Sequence, residues 1–354
     1  MMTTDQPSAD HGDSLDGQVV DARYRIEAEL GRGAMGIVYR ARHVVIGRVV
    51  ALKVIHRRLL SDAAMIVRFE REALAAAKLT HPNLVPVIDV IELPDGRHAM
   101  VLEYVQGVEL VELLRGPLEQ TRVVALLGKL CDGLEHAHHH GLVHRDLKPE
   151  NVVVETDAYG VETPRIIDFG IATLRDPVNG EVDMHARLTD ENFVLGTPMY
   201  MAPEQALGKR VDHRADLFAL GIMAFEMLAG RPPFVGDGVE VAHHNVTRDL
   251  PRIAERAPSV GVDPLLEGIV RKLAARHLAD RFPTARAARA ALDQLERGRE
   301  SLARLLGIAS SRYTPTVAMK PLEGVPTFDA VDDEPSTTSP GGMLGKRGRP
   351  PSNS

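Results

Sequence analysis

The feature that most constrains this chain is a pair of short blocks, HRDLKPEN at residues 144–151 and DFG at residues 168–170. A chain that folds around them must bring several charged and amide side chains to one place. Transfer of a phosphoryl group requires such a set, because the reaction depends on positioning and charge neutralisation, with little covalent help from the protein. The blocks hold a candidate general base, a candidate phosphate-binding lysine and two candidate metal ligands, which are Asp146, Lys148, Asn151 and Asp168.

Both blocks resemble those of the eukaryotic-like (Hanks-type) bacterial Ser/Thr protein kinases, and other motifs of that family occur around them in the same order. An ordered series of motifs is far more specific than any one of its members. The resemblance implies a two-lobed α+β fold, with a small β-rich N-lobe, a larger helical C-lobe and a nucleotide between them. It also implies ATP and Mg²⁺ as cofactors and protein hydroxyl groups as acceptors.

The resemblance assigns a role to each reactive residue of the two blocks. Asp146 would accept the proton of the substrate hydroxyl, and Lys148 would neutralise charge on the γ-phosphate. Asn151 and Asp168 would hold Mg²⁺, which prefers hard oxygen ligands.

Lys53, in the sequence Ala51-Leu52-Lys53, matches the lysine of the family's third strand. It would bind the α- and β-phosphates and pair with a carboxylate in or near the following helix. Three carboxylates qualify there, namely Glu70, Glu72 and Asp62. Glu72 is preferred because family members place this glutamate in an Arg-Glu-Ala sequence upstream of a His-Pro-Asn block.

The sequence GRGAMGIV at residues 31–38 is typical of a glycine-rich loop, whose backbone can approach a triphosphate closely. A dinucleotide-binding fold uses a similar spacing, but it needs a helix where residues 38–41 predict a strand. Residues 102–105 resemble the hinge between the lobes, with Leu102 as gatekeeper and the backbone of Glu103 and Val105 on the adenine. The predicted nucleotide-binding residues are Leu30, Gly31, Gly33, Gly36, Val38, Ala51, Lys53, Glu103, Val105 and Val153.

Residues 196–204 resemble the end of the family's activation segment. By that resemblance, Glu204 would pair with Arg281, and Asp216 would brace the backbone of the catalytic loop. Thr197 and Lys148 together favour Ser or Thr over Tyr as the acceptor.

Two other functions are weighed against an active protein kinase. A pseudokinase that acts as a binding scaffold would typically lack one of the phosphate or metal groups, and all of them are present here. A small-molecule kinase of the same broad fold should lack the segment 196–204, which shapes a peptide-binding surface. The histidines at 138–140 could suggest a metal site, but a solvated helix end is the favoured interpretation, since no Cys or second His cluster completes such a site.

Composition narrows the class of protein. The net charge of -7 argues against general affinity for nucleic acid, and the single cysteine, Cys131, indicates a reducing cytoplasm. The most apolar stretch, residues 217–229, contains Glu226 and is too short to span a membrane, so we expect a buried core helix and a cytoplasmic protein without membrane contact.

Three regions are predicted along the chain. Residues 1–22 are acidic and lack periodicity, which indicates disorder, and residues 23–297 form the kinase domain. Residues 298–354 are predicted to be a flexible tail, rich in Pro, Ser, Thr and Gly, with a basic end. Helices are expected at residues 63–79, 120–140, 215–229, 264–276 and 285–297.

Phosphorylation is predicted at three threonines, Thr189 in the activation loop and Thr314 and Thr316 in the tail. The tail threonines could recruit a phosphothreonine-binding partner, and an activation dimer is left open. Residues 347–350 resemble the short core of AT-hook peptides, but a basic disordered terminus is the favoured interpretation, so no DNA partner is predicted.

Overall fold

The structure, a computed structural model, describes residues 15–33, 36–61, 63–169 and 198–309, without the side chains of residues 63–65, 68 and 72. Thr189, Thr197, Thr314, Thr316 and the basic end of the chain therefore lie outside the described residues. Within those ranges, no helix combines the length and the apolar character needed to cross a membrane.

A six-stranded antiparallel sheet forms the N-lobe, in the order β1-β2-β3-β4-β6-β5. Alternating apolar residues place one face of the sheet in the core, as in β3, where Tyr39 and Ala41 are fully buried and Arg40 is not. Helix α1 (Ala63–Ala76) follows β4. The strands are β1 (Val19–Val20), β2 (Tyr24–Arg32), β3 (Gly36–His43), β4 (Val49–Ile55), β5 (Val87–Glu92) and β6 (His98–Glu103).

The C-lobe is mainly helical and carries a small sheet of β7 (Val108–Glu109), β8 (Val152–Thr156) and β9 (Glu162–Ile166). Its helices are α2 (Leu110–Leu113), α3 (Gln120–His139), α4 (Pro203–Ala206), α5 (Arg214–Ala229), α6 (Gly238–Thr247), α7 (Ile253–Arg256), α8 (Pro264–Leu273), α9 (Ala285–Arg297) and α10 (Arg299–Leu306).

Helix α5 lies at the centre of the C-lobe core. Its residues from Ala215 to Phe225 are all buried, which confirms the buried helix predicted from the apolar sequence. The helix ends at Gly230, whose φ is 68°, a left-handed conformation that favours glycine. A Cβ at this position would lie 2.5 Å from the backbone nitrogen of Pro117, so the turn excludes larger residues.

Two segments differ from the sequence prediction. Residues 15–22 are not disordered, because Val20 pairs with Tyr24 in the sheet and the side chain of Leu15 is buried beneath it. Residues 299–306 are not a flexible tail, because helix α10 buries Leu302 and Ala303 against the C-lobe core. In both segments the order comes from contacts with the rest of the domain, which local composition does not reveal.

Candidate active site

The catalytic loop is held by one buried carboxylate, that of Asp216 in helix α5. Its two oxygens accept hydrogen bonds from the backbone amides of His144, at 2.8 Å, and Arg145, at 2.7 Å. The side chain is only 1% exposed. This geometry confirms the bracing role predicted for Asp216.

His138, near the end of α3, is the third group on that carboxylate. Its Nε2 lies 2.7 Å from an oxygen of Asp216, and its side chain is 7% exposed. The prediction of a solvated helix end was therefore wrong for His138, because its partner lies far away in sequence. Burial by itself would raise the pKa of Asp216, but the hydrogen bond with His138 and the charges and amides around it lower that pKa below the ordinary value.

The candidate base, lysine and asparagine lie together in the loop. The Nζ atom of Lys148 is 3.0 Å from an oxygen of the Asp146 carboxylate. The side-chain nitrogen of Asn151 donates to the backbone oxygen of Asp146 at 2.7 Å and lies 3.4 Å from its carboxylate. Because the amide nitrogen of Asn151 faces Asp146, its amide oxygen is the atom left for a metal ion.

Asp168 joins this group from the segment that follows β9. It forms an ion pair with Lys53, whose Nζ lies 2.9 Å from a carboxylate oxygen. Asp168 has a φ of 60°, a left-handed conformation that is uncommon for a non-glycine residue. Its neighbours fix this backbone, since the ring of His144 contacts that of Phe169 and its Nε2 lies 2.9 Å from the oxygen of Ile167.

The partner predicted for Lys53 was Glu72, whose backbone lies in α1. The side chain of Glu72 is outside the described residues, so this ion pair stays a prediction. The pair that the structure shows for Lys53 is the one with Asp168.

The glycine-rich loop connects β2 and β3, as the sequence predicted. Gly36 is required by the sheet itself, because a Cβ there would lie 2.1 Å from the carbonyl oxygen of Val54. At Gly31, by contrast, a Cβ would meet nothing within 4 Å, and at Gly33 it would approach only the Gly36 oxygen, at 4.0 Å. The space beside Gly31 and Gly33 is thus not filled by the described residues, which suits a loop that admits a phosphate chain.

The predicted hinge begins at the end of β6. Leu102 is buried in the N-lobe core and stands opposite Ala51 in the sheet. The backbone amide of Glu103 donates to the oxygen of Pro86 at 3.2 Å, which leaves its carbonyl as the group that could face an adenine. Val153 lies across the cleft on β8 of the C-lobe.

The segment after the activation loop is anchored by a buried ion pair. Both oxygens of Glu204 accept from the guanidinium of Arg281, at 2.7 and 2.8 Å, and the two side chains are almost fully buried. The pairing predicted from the sequence is confirmed. It fixes helix α4 to the C-lobe.

Three further polar residues that hold this segment, or belong to it, were missed by the sequence analysis. The side-chain nitrogen of Asn245 donates to the oxygens of Met199 and Met201, at 3.1 Å each. Gln205 donates from its side chain to the oxygen of Arg145 at 2.7 Å. The hydroxyl of Tyr200 donates to Glu226. Glu226 is a charged residue within an otherwise apolar helix sequence, and this is a signal from which a buried polar contact could have been predicted.

Comparisons with known proteins agree with this geometry. Residues 24–288 match the family model described as "Protein kinase domain". The chain is 38% identical over 293 residues to "Serine/threonine-protein kinase pkn3" of Myxococcus xanthus, covering 82% of this chain and 53% of that protein. It is 36% identical over 287 residues to "Serine/threonine-protein kinase PknL" of Mycobacterium tuberculosis, covering 80% and 68%.

Solved structures show the same fold. The "Mycobacterium tuberculosis PknI kinase domain" superposes with a TM-score of 0.61 at 29% identity, over 79% of this chain and 99% of that one. The chain spans about half the length of pkn3, so the comparison covers the part shared with that protein. This chain belongs to the protein kinase domain family, among the bacterial Hanks-type Ser/Thr kinases, and it has the two-lobed α+β fold that its sequence predicted.

Proposed function

We propose that this chain transfers the γ-phosphoryl group of ATP to Ser and Thr hydroxyls of proteins. The observation that carries the proposal is a pair of polar contact sets, one at Asp146 and one between the lobes. Lys148 and Asn151 both contact that residue, and Asp168 pairs with Lys53 of the other lobe. These contacts support the roles proposed for the four residues in phosphoryl transfer.

The donor set also fits the expected cofactors. The Asp168 carboxylate and the Asn151 amide offer hard oxygen atoms, the ligand type that Mg²⁺ prefers. Lys53, on β4 under the glycine-rich loop, would bind the α- and β-phosphates. Mg²⁺, when bound, neutralises charge on the phosphate oxygens.

In the reaction, the oxygen of the substrate hydroxyl forms a bond to the γ-phosphorus, while the bond from that phosphorus to the bridging oxygen of ADP breaks. The proton of the hydroxyl passes to the carboxylate of Asp146, which orients the attacking oxygen. Lys148, next to this carboxylate, neutralises charge on the phosphoryl group in transit.

The choice of acceptor rests on the segment after the activation loop. Residues 198–204 are fixed by the Glu204–Arg281 pair and by Asn245, which suits a platform that binds a peptide. The same proposal includes self-activation through Thr189 and dimer formation. It also includes recruitment of a phosphothreonine-binding partner through Thr314 and Thr316. A cytoplasmic location is proposed from the single cysteine, Cys131, which can form no disulfide within the chain.

The test is transfer from radiolabelled ATP to a mixture of bacterial proteins, followed by analysis of the phosphorylated amino acids. Label on Ser and Thr, lost in Asp146→Asn, is the expected result. Nucleotide binding without transfer would favour the pseudokinase. Transfer to a small molecule but to no protein would favour the small-molecule kinase.

A further inference from the structure

A half-buried arginine on β9 contacts both lobes. The guanidinium of Arg165 donates to Glu103 at 2.8 Å, to Glu155 at 3.2 Å and to the backbone oxygen of Leu84 at 3.2 Å. Its side chain is only 12% exposed, while those of the two glutamates are about one-third exposed. Glu103 ends strand β6 of the N-lobe, and Glu155 belongs to β8 beside Arg165 in the C-lobe.

Backbone contacts surround this arginine and make the junction continuous. The amide of Val85 donates to the oxygen of Ile166, and the amide of Ile166 donates to the oxygen of Asn83, both at 2.9 Å. The side-chain nitrogen of Asn83 donates to the oxygen of Pro164 at 2.9 Å. The guanidinium of Arg165 therefore lies where the loop before β5, the predicted hinge and the C-lobe sheet meet.

The position of Arg165 relates the hinge to the metal site. Glu103 and Lys53 lie on adjacent strands of one sheet, β6 and β4, so they move together. Arg165 and Asp168 lie on one short segment, which is held to the catalytic loop by the bond from the amide of Ile167 to the oxygen of Asn151, at 2.9 Å. The pairs Arg165–Glu103 and Asp168–Lys53 thus join the same two bodies at two points.

We propose that Arg165 is a positioning residue which, through Glu103, holds the lobes at the separation where Lys53 and Asp168 can bind one nucleotide together. The inference rests on the proposed function, since it concerns the same nucleotide site. Without Arg165 one of these two side-chain pairs is lost, so a smaller fraction of molecules has the binding-competent arrangement. Affinity for nucleotide falls, while the step of transfer from bound ATP changes little.

The experiment compares three variants of the full chain, with Mg·ADP affinity measured by calorimetry and ATP kinetics measured by phosphoryl transfer. Arg165→Met and Glu103→Gln should each raise the dissociation constant and the KM for ATP by about threefold to tenfold, with kcat within about twofold. Glu155→Gln is the matched control, because it removes a partner of the same guanidinium within one lobe. It should change both constants by less than about twofold.

Two further variants separate positioning from mere structural support. The double variant Arg165→Met/Glu103→Gln should bind nucleotide no more weakly than the weaker of the two single variants, since both changes remove the same Arg165–Glu103 pair. Arg165→Lys should recover part of the affinity, because a lysine keeps the charge but not the fork of donors.

Several results would overturn the proposal. One is an equal loss of nucleotide affinity in Glu103→Gln and Glu155→Gln. Another is an unchanged or tighter nucleotide affinity in folded Arg165→Met. The third is a set of variants in which only the unfolding temperature changes. If Arg165→Met fails to fold, the two glutamate variants decide the question. A wild-type protein that binds Mg·ADP but phosphorylates no protein would contradict the proposed function alone, whereas one that binds no nucleotide would contradict both.

Discussion

At the scale of single residues, a few buried polar side chains set the backbone of the site. Asp216 holds two consecutive amides of the catalytic loop, and those amides precede Asp146 directly. Arg145 has a φ of 65°, which a non-glycine residue adopts rarely, and the bonds of Asp216 to its amide and Gln205 to its oxygen keep it there. The backbone of the catalytic loop is thus set by contacts within the chain itself.

The first prediction concerns the pair of Lys53 and Asp168. Replacing either with Ala should lower phosphoryl transfer by roughly 10³-fold or more, because each is a principal electrostatic group in the transition state. Transfer from radiolabelled ATP measures the effect, and circular dichroism checks the fold. Lys78→Ala, a change at an exposed lysine, is the control and should retain activity. Near wild-type activity in either site variant would show that the assigned roles are wrong.

At the scale of elements, the sequence predicted those helices and strands that hydrophobic spacing and capping residues determine locally. Helix α9 begins and ends as expected at 285 and 297, because its apolar residues recur with helical spacing and Thr284 caps its first turn by accepting from the amide of Ala287. Strand β1 and helix α10 were missed, since a strand of two residues and a helix of eight are too short to be stable alone and depend on packing against the rest of the domain. The pairing of His138 with Asp216 escaped prediction because these two residues lie far apart in the sequence.

The second prediction concerns how helix α4 is anchored. Arg281→Met should destabilise the domain by about 3–5 kcal/mol, because it leaves the Glu204 carboxylate buried without its partner. Arg286→Met is the matched control. Its ion pair with Glu135 is at the surface, with the arginine 81% exposed, so its loss should cost less than about 1 kcal/mol. Chemical denaturation measures both, and similar losses in the two variants would contradict the prediction.

The third prediction concerns pH and the end of helix α3. The pKa of His136 is lowered, first by burial and then by the nearby His140, His81 and His139. Burial also lowers the pKa of His81, although the charge of Asp132 acts in the opposite direction. The unfolded chain therefore binds more protons than the folded one once the pH falls below the ordinary value of about 6.5, so stability declines there and is level above it. His136→Phe should reduce this decline.

Thermal unfolding between pH 7.5 and 5 measures that slope. The variant His243→Phe is the control, because His243 is exposed and is not among the groups that lower the pKa of His136 or His81. An identical slope in wild type and His136→Phe would show that another group causes the acid sensitivity.

At the scale of the whole molecule, the two lobes meet where the nucleotide, the metal ion and the hinge are predicted to lie. The N-lobe contributes Lys53 and the C-lobe contributes Asp168, so the site is complete only when the lobes hold these two residues close together. The structure also fixes residues on both sides of the activation segment, with Phe169 buried before it and Tyr200 bonded to Glu226 after it. A change in the intervening residues 170–197 is therefore positioned to affect the catalytic loop and residues 198–204 together.

The last prediction is that phosphorylation of Thr189 switches the enzyme on. Thr189 lies outside the described residues, eight positions before Thr197, and was predicted from its place in the motif. A phosphate there would bring nearly two negative charges, for which the guanidinium of Arg145 is the expected partner. Because bonds to Asp216 and Gln205 fix the backbone of Arg145, only the side chain of this partner would have to be ordered when the pair forms.

Mass spectrometry and kinetics test this switch together. Protein carrying Asp146→Asn should lack phosphate at Thr189, since the modification would be the enzyme's own product. Thr189→Ala should lower activity on an added substrate severalfold, whereas Thr173→Ala, at a threonine close to residues 168–170, is the matched control and should not. Unchanged activity of Thr189→Ala at saturating ATP would reject the switch. At that concentration of ATP, a difference in nucleotide affinity no longer affects the measured rate.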